Sequence, residues 1–214
     1  ILDASRSAEF LADFGSMAER VALLGGLNSL SQTALKLTMP GVPDIYQGTE
    51  LWDLSFVDPD NRGPVDFGLR ETLQKEMHDE IDWPALVSAW PDGRIKFALL
   101  QALLRMRKAQ ADMFLDGDYR PLSVKGKNAD RVLAFSRNHG GSSVIVAVGR
   151  VMAGITEGGR RWPLGQDWGD TTTDLPEEWP FRDMLRPGGA PQRNLLPLSE
   201  GFRDFPVAVL MAAG

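Results

Sequence analysis

From Ala8 to Leu24 apolar residues return at helical spacing, at Phe10, Leu11, Phe14, Met17, Ala18 and Val21, set among Asp13, Glu19 and Arg20. This periodicity predicts an amphipathic helix. Gly25-Gly26 is expected to break it, and Leu27, Leu30, Ala34 and Leu37 begin a second helical pattern that Pro40-Gly41 ends. Val42 to Tyr46, bounded by turn formers and rich in strand-favouring side chains, reads as a buried parallel strand. Phe67 to Asp79 is charged with scattered apolar positions, a solvated helix or irregular cap, and Trp83 to Trp90 continues in that style. Gly93 to Gln110 carries the clearest helix, with Ile95, Leu99, Leu103 and Met106 on one face and Lys96, Gln101, Arg105 and Lys108 on the outer one.

The pattern changes at Leu115-Asp116-Gly117-Asp118, a turn cluster, and short strand-like runs follow. Arg131 to Ser136 and Ser143 to Val148 flank Asn138-His139-Gly140-Gly141, a composition suited to a hairpin turn with positive φ. Tyr119 to Val124, Asn194 to Leu198 and Phe205 to Leu210 are further strand candidates, and a Trp-, Gly- and Pro-rich stretch runs from Arg160 to Pro191. Short strands at this spacing predict an antiparallel sandwich. Two domains are expected, residues 1–114 and 115–214.

Composition narrows the partners. The chain has 214 residues, enough for one large or two modest domains, and 43% hydrophobic residues, ordinary for a globular core. Its net charge of −6 argues against a surface that tracks nucleic-acid phosphates. No apolar run is long enough to cross a bilayer, so no membrane partner is expected. There is no cysteine, which removes disulfides and thiolate metal sites and suits a reducing cytoplasm. The chain opens on Ile1 rather than Met, which suggests an internal point of a longer polypeptide or a processed end.

The chemistry concentrates after the first strand candidate. Tyr46, Gln47, Glu50, Trp52 and Asp53 combine an aromatic face with amide and carboxylate groups, the mixture that sugars need for their C–H faces and hydroxyls. The same residues equally suit a loop that merely ties itself to its neighbours. Asp58-Pro59-Asp60-Asn61-Arg62-Gly63 looks superficially like a calcium loop. Arg62 stands where an oxygen ligand belongs and Leu69 where a Glu belongs, so no metal site is assigned. A turn in which Asp58 or Asp60 orients Arg62 fits better, either to grip vicinal hydroxyls or as a structural ion pair. Glycoside chemistry needs two carboxylates flanking one bond. Spacing does not decide whether Glu50, Asp53, Asp58 and Asp60 supply them, and ligand positioning is the preferred role. His78 and His139 carry no catalytic pattern. Trp162, Trp168 and Trp179 offer either a sugar surface or core, with core favoured.

Gly41-Val42-Pro43-Asp44-Ile45-Tyr46-Gln47-Gly48-Thr49-Glu50 resembles the eighth-strand motif of the alpha-amylase superfamily. With Ser29 to Thr38 before it and Leu51 to Asp66 after it, the segment resembles the maltooligosyl trehalose synthase family in particular, as do Lys96 to Arg107, Phe114 to Tyr119 and Val132 to Arg137. The resemblance implies an α+β piece, the carboxyl-terminal edge of a TIM (β/α)8 barrel followed by an antiparallel β-sandwich. It implies an enzyme that turns the reducing-end α-1,4 bond of a maltodextrin into an α,α-1,1 bond by intramolecular transglycosylation, without metal or organic cofactor. The family's catalytic Asp, Glu and Asp lie on earlier strands, upstream of this chain, so no catalytic residue is expected here and the piece alone should be inactive. Asn138-His139-Gly140 does not reproduce the family's Asn-His-Asp motif. A substrate-binding role toward an α-glucan is carried to Tyr46, Gln47, Glu50, Asp58, Asn61 and Arg62. The rival readings are a neopullulanase-like glucan hydrolase and a non-catalytic carbohydrate-binding or scaffold module. Open barrel edges would also favour self-association of the piece.

Overall fold

The structure is a computed structural model that describes residues 3–77, 80–176, 180–188 and 191–212. One helix, α1 (Ala8–Thr38), replaces the two expected around Gly25-Gly26. Gly25 faces open space, while a Cβ on Gly26 would meet the Trp90 ring at 3.3 Å. Gly26 therefore admits a neighbouring ring, and the helix carries both glycines at a cost of about 1 kcal/mol each, which the burial of Leu23, Leu27 and Leu30 offsets. The helix stops at Met39, whose ψ of 161° is the extended conformation that a following proline enforces.

Val42–Tyr46 does not form the expected parallel strand: Val42 is 90% exposed, and every ladder among the described residues is antiparallel and lies elsewhere. A lone segment has no edge to pair with, whatever its β propensity. The open strand edges expected to favour self-association are thus not formed by this segment. Exposed apolar surface sits instead on α1, at Phe10, Phe14, Met17 and Val21. Beyond the loop come α2 (Phe67–Glu76) and α3 (Trp83–Ser88). Asp66 and Asp82 cap them by accepting the Leu69 and Ala85 N–H groups. α4 (Arg94–Ala109) is the helix expected from periodicity. α5 (Ala111–Asp116) enters the region read as a turn and crosses the expected 114/115 boundary.

The remainder is β-rich: β1 (Arg120–Pro121), β2 (Val124–Lys125), β3 (Val132–His139), β4 (Ser142–Gly149), β5 (Thr172–Asp174), β6 (Phe181–Asp183), β7 (Leu195–Pro197), the short helix α6 (Leu198–Gly201) and β8 (Val207–Ala212). They form one sheet in the order β1-β3-β4-β8-β6 and another in the order β2-β5-β7. The β3–β4 hairpin turns at Gly140 and Gly141, with φ of 55° and 80°. Two consecutive positive φ values are what such a tight turn requires. Strand candidates Tyr119–Val124, Asn194–Leu198 and Phe205–Leu210 each contain observed strand. β5 and β6 fall in the Trp-, Gly- and Pro-rich stretch, where three-residue strands are too short to show alternation.

The larger sheet is buried on both faces. Phe135, Val144, Val146, Val148, Val207 and Val209 join α1, α4 and Trp83 in one cluster. Ala134, Ile145, Ala147 and Leu210 face Leu175 and Leu196 of the smaller-sheet side in another, with Trp168 and Phe202. The order is helices, five-stranded sheet, three-stranded sheet, which makes the chain α+β and explains the unbroken apolar run of β4.

Arg137 of β3 fastens the helices to the sheet. It is 1% exposed, yet its donors meet only main-chain carbonyls: Nε to Asp118 (2.7 Å), Nη1 to Thr38 (3.0 Å), and Nη2 to Met113 (3.1 Å) and Gly117 (2.9 Å). Thr38 O and Gly117 O lie at the ends of α1 and α5, where backbone acceptors lack intrahelical donors and carry partial negative charge, while Met113 O also accepts the Gly117 N–H that closes α5. Arg107 repeats the device, donating to Leu37 O at 2.8 Å and Gly41 O at 2.9 Å. Replacing Arg137 with Met should strand these acceptors and lower stability by about 3–5 kcal/mol. Urea unfolding reads this as a shifted midpoint with unchanged slope, and an unchanged midpoint would refute the role.

Candidate functional site

The chain leaves α1 through Gly41, held by Arg107, and does not regain α-helix until α2, with one 3-10 turn at Asp60–Arg62 between. Within this loop Glu50 is committed to structure. Its Oε2 accepts Arg70 Nε–H at 2.7 Å and the Gly48 N–H at 3.1 Å. Arg70 completes the ring with Nη2 on Gly48 O at 2.7 Å and Nη1 on Asp66 O at 2.9 Å. Gly48 sits at φ +94°, where a side chain would be strained, and a Cβ there would stand 3.3 Å from Val65. Burial alone would raise the Glu50 pKa, but the Arg70 guanidinium and the N–H donors outweigh it and hold the carboxyl below its ordinary range.

A second anchor comes from α4. Lys96, expected on the outer face, turns inward, donating to Leu51 O at 3.1 Å with its ammonium 5.8 Å from the Trp52 ring centroid. Trp52 Nε1 donates to Trp90 O at 2.7 Å. Gly93 supplies the room for this approach, since its Cβ would lie 3.1 Å from Trp52 N. Burial, then repulsion from Lys36, lowers the Lys96 pKa against the pull of Asp53 and Glu50.

Beyond Trp52 the loop projects. Asp53 Oδ1 accepts both the N–H and the hydroxyl of Ser55, which keeps its pKa low. Asp58 pairs with Arg62 across one turn, and both side chains are more than half exposed. Asp60 does not orient Arg62; it accepts the Phe56 N–H at 2.7 Å. Asn61 Oδ1 is buried without a hydrogen-bond partner. Tyr46 lines a polar recess of about 340 Å³ with Gln32, Lys36, Asp44 and Lys96, and Gln47 is exposed next to it. Glu50 borders a separate groove of about 500 Å³ over Phe97 and Leu104.

The six residues expected to bind substrate therefore lie on one loop but in three settings: Tyr46 and Gln47 before the Gly48 bend, Glu50 inside the clamp, and Asp58, Asn61 and Arg62 on the projecting turn. Arg70 and Lys96 were missed. An Asp66 cap followed four residues later by Arg70 was the available signal for the first. Trp168 is fully buried and donates to Pro163 O, and Trp162 packs against both clusters, as core. His139 is exposed at the end of β3, whereas His78 and Trp179 lie outside the described residues. Among the described residues no three His, Asp or Glu side chains gather as metal ligands, and no helix is long and apolar enough to cross a membrane.

No protein-family model matches the chain. An Anoxybacillus alpha-amylase shares this fold, superposing over 86% of this chain and 32% of its own with a TM-score of 0.51 at 18% identity. Sequence narrows the relationship. The putative maltooligosyl trehalose synthase of Mycobacterium tuberculosis H37Rv is 36% identical over 201 residues, 91% of this chain and 22% of that protein. The maltooligosyltrehalose synthase of Arthrobacter ramosus is 33% identical with a TM-score of 0.68, over 88% of this chain and 22% of its own. By sequence and by fold the chain is thus a relative of the maltooligosyl trehalose synthases, and it spans 22% of the length of these two.

The depressed Glu50 pKa fixes the sign of a pH dependence. The ion pair stabilises the fold fully above the ordinary value of 4.5 and is lost as pH falls through the lower folded-state value. Glu50→Gln should remove this component, worth about 1 kcal/mol for a partly exposed pair. Urea midpoints at neutral and acid pH check it: the gap between wild type and variant should close in acid, and a constant gap would count against the pair.

Proposed function

We propose that the chain is the carboxyl-terminal part of a maltooligosyl trehalose synthase, with residues 1–114 from the barrel end and 115–214 a terminal sandwich. In this reading the 46–62 loop positions a maltooligosaccharide while carboxylates elsewhere in the polypeptide convert its reducing-end α-1,4 bond to α,α-1,1. The carrying observation is 36% identity across 91% of the chain to a putative enzyme of that name. The loop agrees with a positioning role. Glu50, Asp53, Asp58 and Asp60 are each engaged, by Arg70, Ser55, Arg62 and the Phe56 N–H. Neither a metal nor an organic cofactor enters the reading.

What the loop offers a glucan is a guanidinium already oriented by Asp58, with Asn61 on the same turn. A planar fork donating to adjacent hydroxyls gives orientation as well as affinity. The tryptophan-rich stretch lends no support to an independent binding module, because Trp168 is spent in the core.

Incubated with maltopentaose, the full-length polypeptide should yield a non-reducing product of unchanged chain length, and the 214-residue chain alone should yield none. Shorter reducing sugars from the full-length protein would favour a hydrolase, and turnover by the chain alone would overturn the positioning role.

A further inference from the structure

We propose that Arg70 and Glu50 form a positioning pair that sets the glucan-facing geometry of the loop, with Glu50 acting on the Gly48 peptide rather than on sugar hydroxyls. This rests on the glucan reading above. The geometry is a closed ring: Glu50 takes the Gly48 N–H, Arg70 takes the Gly48 carbonyl, and the two are joined at 2.7 Å. One peptide unit is held from both sides at a φ of +94°. The third Arg70 nitrogen binds Asp66 O, which ties the ring to the first turn of α2.

Gly48 lies between Tyr46 and Gln47 on one side and the Asp58–Arg62 turn on the other. The direction of the chain at this residue fixes how the two groups face each other. Both bonds of the ring fall on one Glu50 oxygen, Oε2, and the pair is largely covered, with Arg70 16% exposed and Glu50 22% exposed. Arg70 lies on a different element and touches none of the other residues assigned to the glucan. Its effect on substrate must pass through the loop.

The test uses the full-length polypeptide with maltopentaose and the variants Glu50→Gln, Arg70→Ala, Arg70→Lys and the double change Glu50→Gln/Arg70→Ala. Each single variant should raise KM by about tenfold with a smaller change in kcat, as expected for a lost charge-assisted contact. The double variant should be no worse than either single one, because both break one unit. Arg70→Lys should not rescue, since an ammonium lacks the fork that spans three acceptors. A KM increase confined to Glu50→Gln, or additive effects, would overturn the proposal in favour of direct sugar contact. Gly48 amide hydrogen exchange gives a readout independent of activity. Arg70→Ala should accelerate it by tenfold or more, and an unchanged rate would overturn the clamp whatever the kinetics. Absence of a non-reducing product from the wild-type polypeptide would instead sink the glucan reading, while the exchange result would still judge the clamp.

Discussion

The arrangement depends on a cation buried among backbone carbonyls. Arg137 reaches the closing turn of α1, the end of α5 and the approach to β1 from a position on β3. No side-chain carboxylate shares that guanidinium among the hydrogen bonds described. Desolvating such a charge is expensive, and here the return is geometric: carbonyls that helices leave unpaired at their ends become the counter-charge. The planar fork can meet several such carbonyls at once, a task an ammonium does poorly. Phe114 lies beneath the group, 5.8 Å from ring centroid to guanidinium carbon, so that the pocket is closed by apolar surface.

The loop inherits its starting point from this junction. Because α1 ends where Arg137 and Arg107 hold Leu37, Thr38 and Gly41, residues 42–47 depart in a set direction. Arg70 then fixes the bend at Gly48, and Lys96 fixes the exit at Leu51. Four basic side chains, each donating to main-chain oxygen, thus support a segment whose regular structure among the described residues is a single 3-10 turn, Asp60–Arg62. A loop without an extended helix or strand needs such outside anchors to present its side chains reproducibly. The acidic groups beyond the anchors are free to organise the turn that carries Arg62.

Much of this was legible in local pattern and the rest was hidden by distance. The 3.6-residue period of α4 and the Gly140-Gly141 turn are local signals, and both led to the observed elements. Gly25-Gly26 misled because glycine in sequence looks like a break, whereas Gly26 makes room for the Trp90 ring far along the chain and Gly25 simply faces open space. Val42–Tyr46 has strand composition but no partner to pair with. Lys96 shares the polar face of its helix and looked solvated until residues 48–52 covered it. The role of Arg137 left no local signal, because Thr38, whose carbonyl it meets, lies 99 residues away in sequence. The six candidate loop residues were named from side-chain type and the family resemblance, but the distinction between the enclosed Glu50 and the outward-facing Arg62 needed coordinates.

In the proposed function this chain serves a glucan enzyme through its 46–62 loop and not through its β-rich half. Hydrogen-exchange mapping of the full-length polypeptide with and without saturating maltopentaose addresses it most directly. Protection within this chain confined to residues 46–62, with β2, β5 and β7 unchanged, is the predicted result. Protection of the three-stranded sheet with none at 46–62 would contradict the account.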